Sequence, residues 1–397
     1  MQNIVIVSAT RTAVGKFEGS LRDYEAHELG GIAIGEAIKR AGIPVEKIDE
    51  VVMGCVASVA ENAFLARLAA MKAGLPIQST ALTVNRLCAS GLQSIVTAAM
   101  EIQTGFASVC VAGGAESMNN IPHYLRKARF GYRMGHGELE DGLITALTDP
   151  FSRQHMGITA ENIAEKYGIT RQAQDEFALL SQQRAQKAVE SGVLQPEIVP
   201  VQVQVSRKET KSFEVDEHPR LGSTLESLIK LRPAFKEGGT VTAGNSSGIN
   251  DGAAAVVLMS EETARELGCE PMVRLVGAAV AGVEPGLMGT GPIPAVRKLL
   301  AQTGVSLADI GLIELNEAFA VQALACIQEL GMDINKVNVN GGAIALGHPI
   351  GATGSIITVK LLYEMKRRQV KYGLATLCIG GGQGLAILYE LWNGKES

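Results

Sequence analysis

No two cysteines of this sequence form a Cys-x-x-Cys pair; the six stand apart at positions 55, 88, 110, 269, 326 and 378. That spacing gives no support to a structural zinc site or a disulfide framework, and implies free thiols in a reducing compartment. No apolar run approaches the roughly 18 residues that a membrane span requires. Excess positive charge is also missing. The net charge is −5, which argues against a broad nucleic-acid surface and leaves any phosphate-bearing ligand dependent on local Arg or Lys. The opening "MQNIVIVSATR" lacks the pattern of a secretory leader, and the closing "NGKES" carries no retention or peroxisomal address. The expected location is the cytoplasm. No dinucleotide-binding glycine fingerprint follows the first strand-like run, and no His, Asp and Glu cluster has metal-ligand spacing. Neither a nicotinamide cofactor nor a metal is expected.

What is present is an ordinary globular balance. Hydrophobic residues make up 46% and charged residues 19% of 397 positions, enough for two or three domains with sizeable cores. The 45 glycines point to tight turns and close backbone approaches. Short apolar runs alternate with longer helical patterns, the mark of an α/β protein. "IVIVSAT" (4–10) reads as a buried strand, and "HELGGIAIGEAIKRAG" (27–42) as an amphipathic helix ending at Gly42. "VCVAGG" (109–114) and "GLATLCIGGGQG" (373–384) both read as strands running into glycine turns.

Laying residues 37–54 over 299–316 places Gly42 on Gly304 and Ile48 on Ile310, with apolar positions coinciding at 37, 38, 43, 45, 48, 51 and 53. "LCASG" (87–91) then falls near "PIGATG" (349–354), and "VAGG" (111–114) near "IGGG" (379–382). Three blocks recurring in one order imply a duplicated α/β unit. The interval 119–249 differs. It holds the charged, turn-rich stretch 123–142, four of the six histidines and a long helical pattern at 170–192. The expected organisation is an N-terminal half over 1–118, to which 250–270 returns, an inserted loop domain over 119–249, and a C-terminal half over 271–397.

Four residues stand out chemically. Cys88, in "VNRLCASGLQS", sits where a helix is expected to begin, and a helix dipole there would favour its thiolate at neutral pH. A buried cysteine is most often only packing, and a nucleophilic thiol also needs a base. His348 supplies a candidate, enclosed by Gly347 and Pro349 in the glycine-rich loop "NGGAIALGHPIGATG". Cys378 gives a second thiol ahead of a glycine loop, and Asn316 follows the apolar run "IGLIEL".

Here the sequence closely resembles the thiolase family. "NRLCASG" around Cys88, "NEAFA" at 316–320, "GGAIALGHPIGATG" and "CIGGGQG" match its signature loops in order, and "TAGNSSGINDGAA" (242–254) extends the match to essentially the whole chain. The resemblance implies a duplicated five-layer α-β-α-β-α core with an inserted loop domain. It implies a reversible Claisen condensation of two acetyl-CoA to acetoacetyl-CoA and CoA, with coenzyme A thioesters as substrates and no separate cofactor. By resemblance Cys88 is the nucleophile that carries the acyl group, and His348 takes its proton and polarises a thioester carbonyl. Cys378 moves the α-proton of the second acyl-CoA, and Asn316 holds a water in an oxyanion hole shared with His348. The backbone N–H groups of Cys88 and Gly380 form the other hole.

For the coenzyme, the family pattern points to Arg220 and Ser227 near the adenine end and to Ser247 and His155 along the pantetheine. "HMGITAEN" (155–162) is similar to the short-chain acetoacetyl-CoA branch. The family also implies an oligomer, a homotetramer assembled through the 123–142 segment. One stretch departs: where the family commonly has Gly-Gln-Asn-Pro, this chain has Asn62, Ala63, Phe64 and Leu65, which bears on subunit packing and acyl-chain preference. Alternative readings are a broader-chain degradative 3-ketoacyl-CoA thiolase and a catalytically idle acyl-CoA-binding relative. A β-ketoacyl synthase would pair its cysteine with two His, or with His and Asn, so Cys378 counts against it.

Overall fold

The computed structural model describes residues 2–394, so the last three residues of the "NGKES" end lie outside the described residues. Nine strands form a continuous hydrogen-bonded path. In chain order they are β1 (Ile4–Thr12), β2 (Glu50–Gly54), β3 (Thr80–Val84), β4 (Val109–Ser117), β5 (Asn250–Ser260), β6 (Val273–Gly282), β7 (Ile310–Leu315), β8 (Tyr372–Ile379) and β9 (Gln383–Leu391). The spatial order is β7-β8-β9-β6-β1-β5-β4-β2-β3.

The order repeats a unit. In the N-terminal half β2 pairs parallel with β4, then β4–β5 and β5–β1 are antiparallel. In the C-terminal half β7–β8 is parallel, then β8–β9 and β9–β6 are antiparallel. The halves meet where β1 and β6 pair through Val5–Arg274 and Ile6–Val273. The flanking helices repeat as well. Helix α1 (Ala26–Ala41) ends at Gly42 and α6 (Pro292–Thr303) at Gly304, both left-handed at φ +70°, and each is followed by a short turn and the next strand. The 37–54 and 299–316 alignment is therefore a structural equivalence. The glycine blocks differ: β4 runs straight through Gly113 and Gly114, whereas Gly380–Gly382 form the β8–β9 hairpin turn. The expectation of a glycine turn at 109–114 is wrong, because β5 pairs along the whole of β4 and holds both glycines in extended backbone.

Strand alternation builds the layers. Val51 and Met53 of β2 pack with α1 and α2 (Leu65–Lys72) in one outer core, while Val52 points to the opposite side. That middle core encloses α3 (Ser90–Gln103) and α8 (Thr353–Arg368) between residues of both halves. Leu374, Ala386 and Leu388 face outward again, onto α6 and α7 (Ala320–Leu330). The result is the five-layer α-β-α-β-α core. Burying each Val, Leu or Ile side chain in it contributes about 1.5–3 kcal/mol. At the centre α3 and α8 cross with backbones almost touching. A Cβ on Gly91 would lie 2.8 Å from the Ser355 nitrogen, and one on Gly354 2.3 Å from the Leu92 nitrogen. The close crossing brings the N-termini of both helices, and the loops before them, to one place.

Between β4 and β5 the chain makes its excursion. Within it are α4 (Met156–Tyr167) and α5 (Arg171–Ser191), the latter capped by Thr170 and ended by left-handed Gly192. A projecting hairpin pairs His123–Leu125 with Leu139–Asp141. Among the described residues no helix is long and apolar enough to cross a membrane.

Candidate active site

The loops before α3 and α8, the β8–β9 turn and the excursion enclose a cavity of about 320 Å³. Cys88, His348, Cys378 and Gly380 line it, with Leu147, Met156, Phe235, Met288 and Phe319 among its apolar walls.

Cys88 stands just ahead of α3, whose cap is Ala89. The turn before it is tight: Leu87 holds a left-handed φ of +48°, which costs about 1–3 kcal/mol in a non-glycine residue. Hydrogen bonds offset this strain, from Leu87 N–H to Asn85 Oδ1 (3.0 Å) and from the Ser90 hydroxyl to the Leu87 carbonyl (2.7 Å). The turn leaves the sulfur in the cavity, where it accepts the backbone N–H of Gly380 and of Cys88 itself. Those are the two donors expected of an oxyanion hole. Burial outweighs them and pushes the thiol up to about 11. Desolvation of the charge works against the help of the helix terminus, so the expected thiolate depends on the partner base that the sequence reading also called for. A base is required.

His348 meets that need. It is buried, and burial pulls its pKa down to about 4, so the ring is neutral at pH 7. Asn250 holds its loop, accepting the His348 N–H through Oδ1 (2.9 Å) and donating through Nδ2 to the Gly15 carbonyl (2.9 Å). The Thr353 hydroxyl lies 2.8 Å from the Pro349 carbonyl and 2.6 Å from His348 Nδ1. With its proton donated to Pro349, the network assigns the imidazole proton to Nδ1, donated to Thr353 Oγ1. Nε2 is left as an acceptor. Asn316 Nδ2 lies 3.4 Å from it.

Cys378 closes β8 and is fully buried apart from the cavity. Burial, then the neighbouring Cys88 and Cys326 sulfurs, raise its thiol well above the ordinary range. It rests protonated, and once deprotonated it is a strong base. Asn316 is not in the cavity wall; it lies behind His348, 1% exposed, with its side-chain oxygen unpartnered.

The coenzyme candidates divide. His155 lines the cavity, stacked on Phe235 at 4.8 Å, and its Nδ1 accepts the Gly157 N–H at 3.0 Å. Ser247 also lines it, fastened by its backbone N–H to the Ala318 carbonyl at 3.0 Å. Arg220 is exposed on the cavity rim and is the one Lys or Arg among the lining residues. Ser227 is elsewhere: exposed, it shares a reciprocal cap with Thr224 on a short surface helix. Ala63, Phe64 and Leu65 do not line the cavity; Phe64 is exposed and Leu65 is buried at the start of α2.

Thiolase domain models match the chain in two blocks, the N-terminal domain over 4–262 and the C-terminal domain over 269–391. The chain belongs to the thiolase family. It is 54% identical to an acetyl-CoA acetyltransferase of Escherichia coli over 99% of this chain and 100% of that protein. A crystal structure of the Bacillus anthracis acetyl-CoA acetyltransferase superposes with TM-score 0.97 at 48% identity, covering 99% of both chains. Human mitochondrial 3-ketoacyl-CoA thiolase in complex with CoA superposes with TM-score 0.95 at 44% identity, covering 98% of both chains. The protein is an acyltransferase of this thiolase fold. Of the catalytic residues named from the sequence, the structure brings Cys88, His348, Cys378 and Gly380 to one cavity and sets Asn316 behind His348; sequence reading overlooked Asn250 and Thr353. Both fall inside the matched stretches 341–354 and 242–254, but neither stretch says which of its side chains reaches His348.

Proposed function

We propose that this thiolase is an acetyl-CoA C-acetyltransferase, joining two acetyl-CoA to give acetoacetyl-CoA and CoA, reversibly. The observation that carries the reading is the Cys88 sulfur under the Gly380 and Cys88 N–H groups, in one cavity with a neutral His348 and a second, protonated thiol. His348 Nε2 takes the Cys88 proton as the sulfur attacks the acetyl carbonyl. The oxyanion forms at the two N–H groups, each such donor being worth about 10²–10³ in rate. CoA leaves as a thiolate and takes the Cys378 proton. Loading thus leaves Cys88 acetylated, His348 protonated and Cys378 as thiolate.

Condensation uses that state. Cys378 removes the α-proton of a second acetyl-CoA, and the enolate oxygen is held by protonated His348, which Asn316 backs from behind. The enolate carbon attacks the Cys88 thioester, the sulfur departs, and His348 returns its proton. Every group is restored. Coenzyme A thioesters are the substrates, and no separate cofactor takes part. Arg220 at the rim suits the phosphate-bearing end of CoA, and His155 and Ser247 suit the pantetheine. Ser227 would reach the nucleotide only if CoA extended over the surface helix. The six free cysteines fit a cytoplasmic location, and the projecting hairpin fits a homotetramer.

A broader 3-ketoacyl-CoA thiolase is the second reading, favoured by the 44% identity to the human 3-ketoacyl-CoA thiolase. Thiolysis of C4, C6 and C8 3-ketoacyl-CoA separates the two. The proposed activity gives the highest kcat/KM with C4; equal or higher values with C8 would replace it by the second reading.

A further inference from the structure

Glu116, near the end of β4, is completely buried, and among the described residues no Lys or Arg forms an ion pair with it. Its Oε2 accepts the N–H of Val56 (2.9 Å) and of Gly351 (2.8 Å), and its Oε1 accepts the N–H of Ala57 (3.1 Å), with the Cys55 thiol at 3.6 Å. All four partners donate. Burial raises the carboxyl pKa, and the four donors oppose it; a carboxylic acid would turn its own O–H against one of them, so the hydrogen-bond geometry fits the ionised form. Burying an unpaired charge is expensive, and packing alone would be served by an apolar side chain.

What the carboxylate joins explains its presence. Val56 and Ala57 belong to the loop after β2, in the N-terminal half. Gly351 lies three residues beyond His348, in the C-terminal half, at the position that the duplication sets opposite Cys88. Val56, anchored itself, and Ile350, next to Gly351, line the cavity and share one apolar cluster with Cys88. The joint leaves no slack: a Cβ on Gly351 would lie 2.4 Å from Glu116 Oε2 and 2.9 Å from the Cys55 Cα.

We propose that ionised Glu116 is a positioning residue of the acyl transfer, clamping the His348 loop of one half to the Cys88 side of the other so that sulfur and imidazole keep their working separation. The role rests on the acyl-transfer reading. Misplacing a reacting group by about 1 Å can cost 10²-fold in rate. The charge leaves a second mark: the groups facing Cys88 are His348, Cys378 and the N–H of Gly380 and Cys88 from the cavity, and Glu116 behind it. Of these Glu116 alone brings a resident negative charge, which opposes the thiolate.

Two substitutions separate reach from charge. Glu116→Gln keeps the length and removes the charge; Glu116→Asp keeps the charge and shortens the arm. Both should lower kcat for acetoacetyl-CoA thiolysis by about tenfold or more, with KM changed much less. The pH profile of Cys88 alkylation by iodoacetamide should move to lower pH in Glu116→Gln and stay in place in Glu116→Asp. A merely structural glutamate would not separate the two variants in this way. Wild-type kcat in either variant, or an unmoved profile in Glu116→Gln, overturns the proposal. If Glu116→Gln does not fold, the kcat of Glu116→Asp decides alone. A wild-type protein without thiolysis would instead refute the acyl-transfer reading, and the alkylation profiles would still report the charge.

Discussion

The Thr353 hydroxyl oxygen lies 2.6 Å from His348 Nδ1 and 2.8 Å from the Pro349 carbonyl, so a single threonine fixes which imidazole nitrogen carries the proton. Thr353→Val keeps the shape and removes the acceptor. The imidazole proton then has no partner at Nδ1, an unmet buried group worth about 1–3 kcal/mol, and shifts to Nε2. A base held in the wrong tautomer loses about 10²–10⁴ in rate. Thr353→Val should lose kcat on that scale with KM nearly kept, and Thr353→Ser should retain most of it. Equal activity in both would remove Thr353 from the mechanism.

The Cys88 thiol, pushed up to about 11, predicts slow alkylation of the free enzyme at neutral pH. Only the thiolate reacts, so the iodoacetamide rate at Cys88, read by peptide mass spectrometry, should climb about tenfold per unit between pH 7 and pH 10. A plateau by pH 8 would mean that the helix terminus and the N–H donors outweigh burial after all.

Arg220 sits on the rim, far from the bonds that change. Contacts there hold substrate and transition state alike. Arg220→Ala should raise KM for acetyl-CoA several-fold with kcat largely unchanged, and added salt should do the same to the wild type. A large fall in kcat at constant KM would place Arg220 wrongly.

The projecting hairpin exposes Leu125, Phe130, Met134 and Leu139, the last three at 85%, 97% and 65% for Phe130, Met134 and Leu139 respectively. Exposed apolar groups of this kind suit a subunit contact. Light scattering should find a tetramer, and the double substitution Phe130→Asp with Met134→Asp should leave dimers. A wild-type dimer would reject the tetramer; a monomer would reject the assembly altogether.

Much of this was legible in the residues. The helix ends at Gly42 and Gly304, the strand at 4–10 and the long helix at 170–192 follow from caps and periodicity, which act over a few neighbours. The duplication was visible because equivalent turns need equivalent residues. The thiol state of Cys88 was not legible, because burial depends on walls such as Met118 and Ile350 that arrive from distant parts of the chain. Asn250 and Glu116 were missed for the same reason: their partners lie about 100 to 235 residues away or in another loop. At 109–114 the local glycine signal misled, since pairing with β5 overrides it.

The two cysteines should fail in different half-reactions. Cys88 carries the acyl group, so Cys88→Ala should neither take acetyl label from radiolabelled acetyl-CoA nor condense. Cys378 moves the proton at the incoming carbon, after loading. Cys378→Ser should therefore still accept label on Cys88, more slowly because CoA leaves without its proton donor, while condensation falls by at least the 10²–10⁴ that general acid–base catalysis supplies. Label on Cys88 of Cys378→Ser, with acetoacetyl-CoA formation lost, is the predicted result. Near wild-type condensation by Cys378→Ser, or label found on another cysteine, would contradict the account.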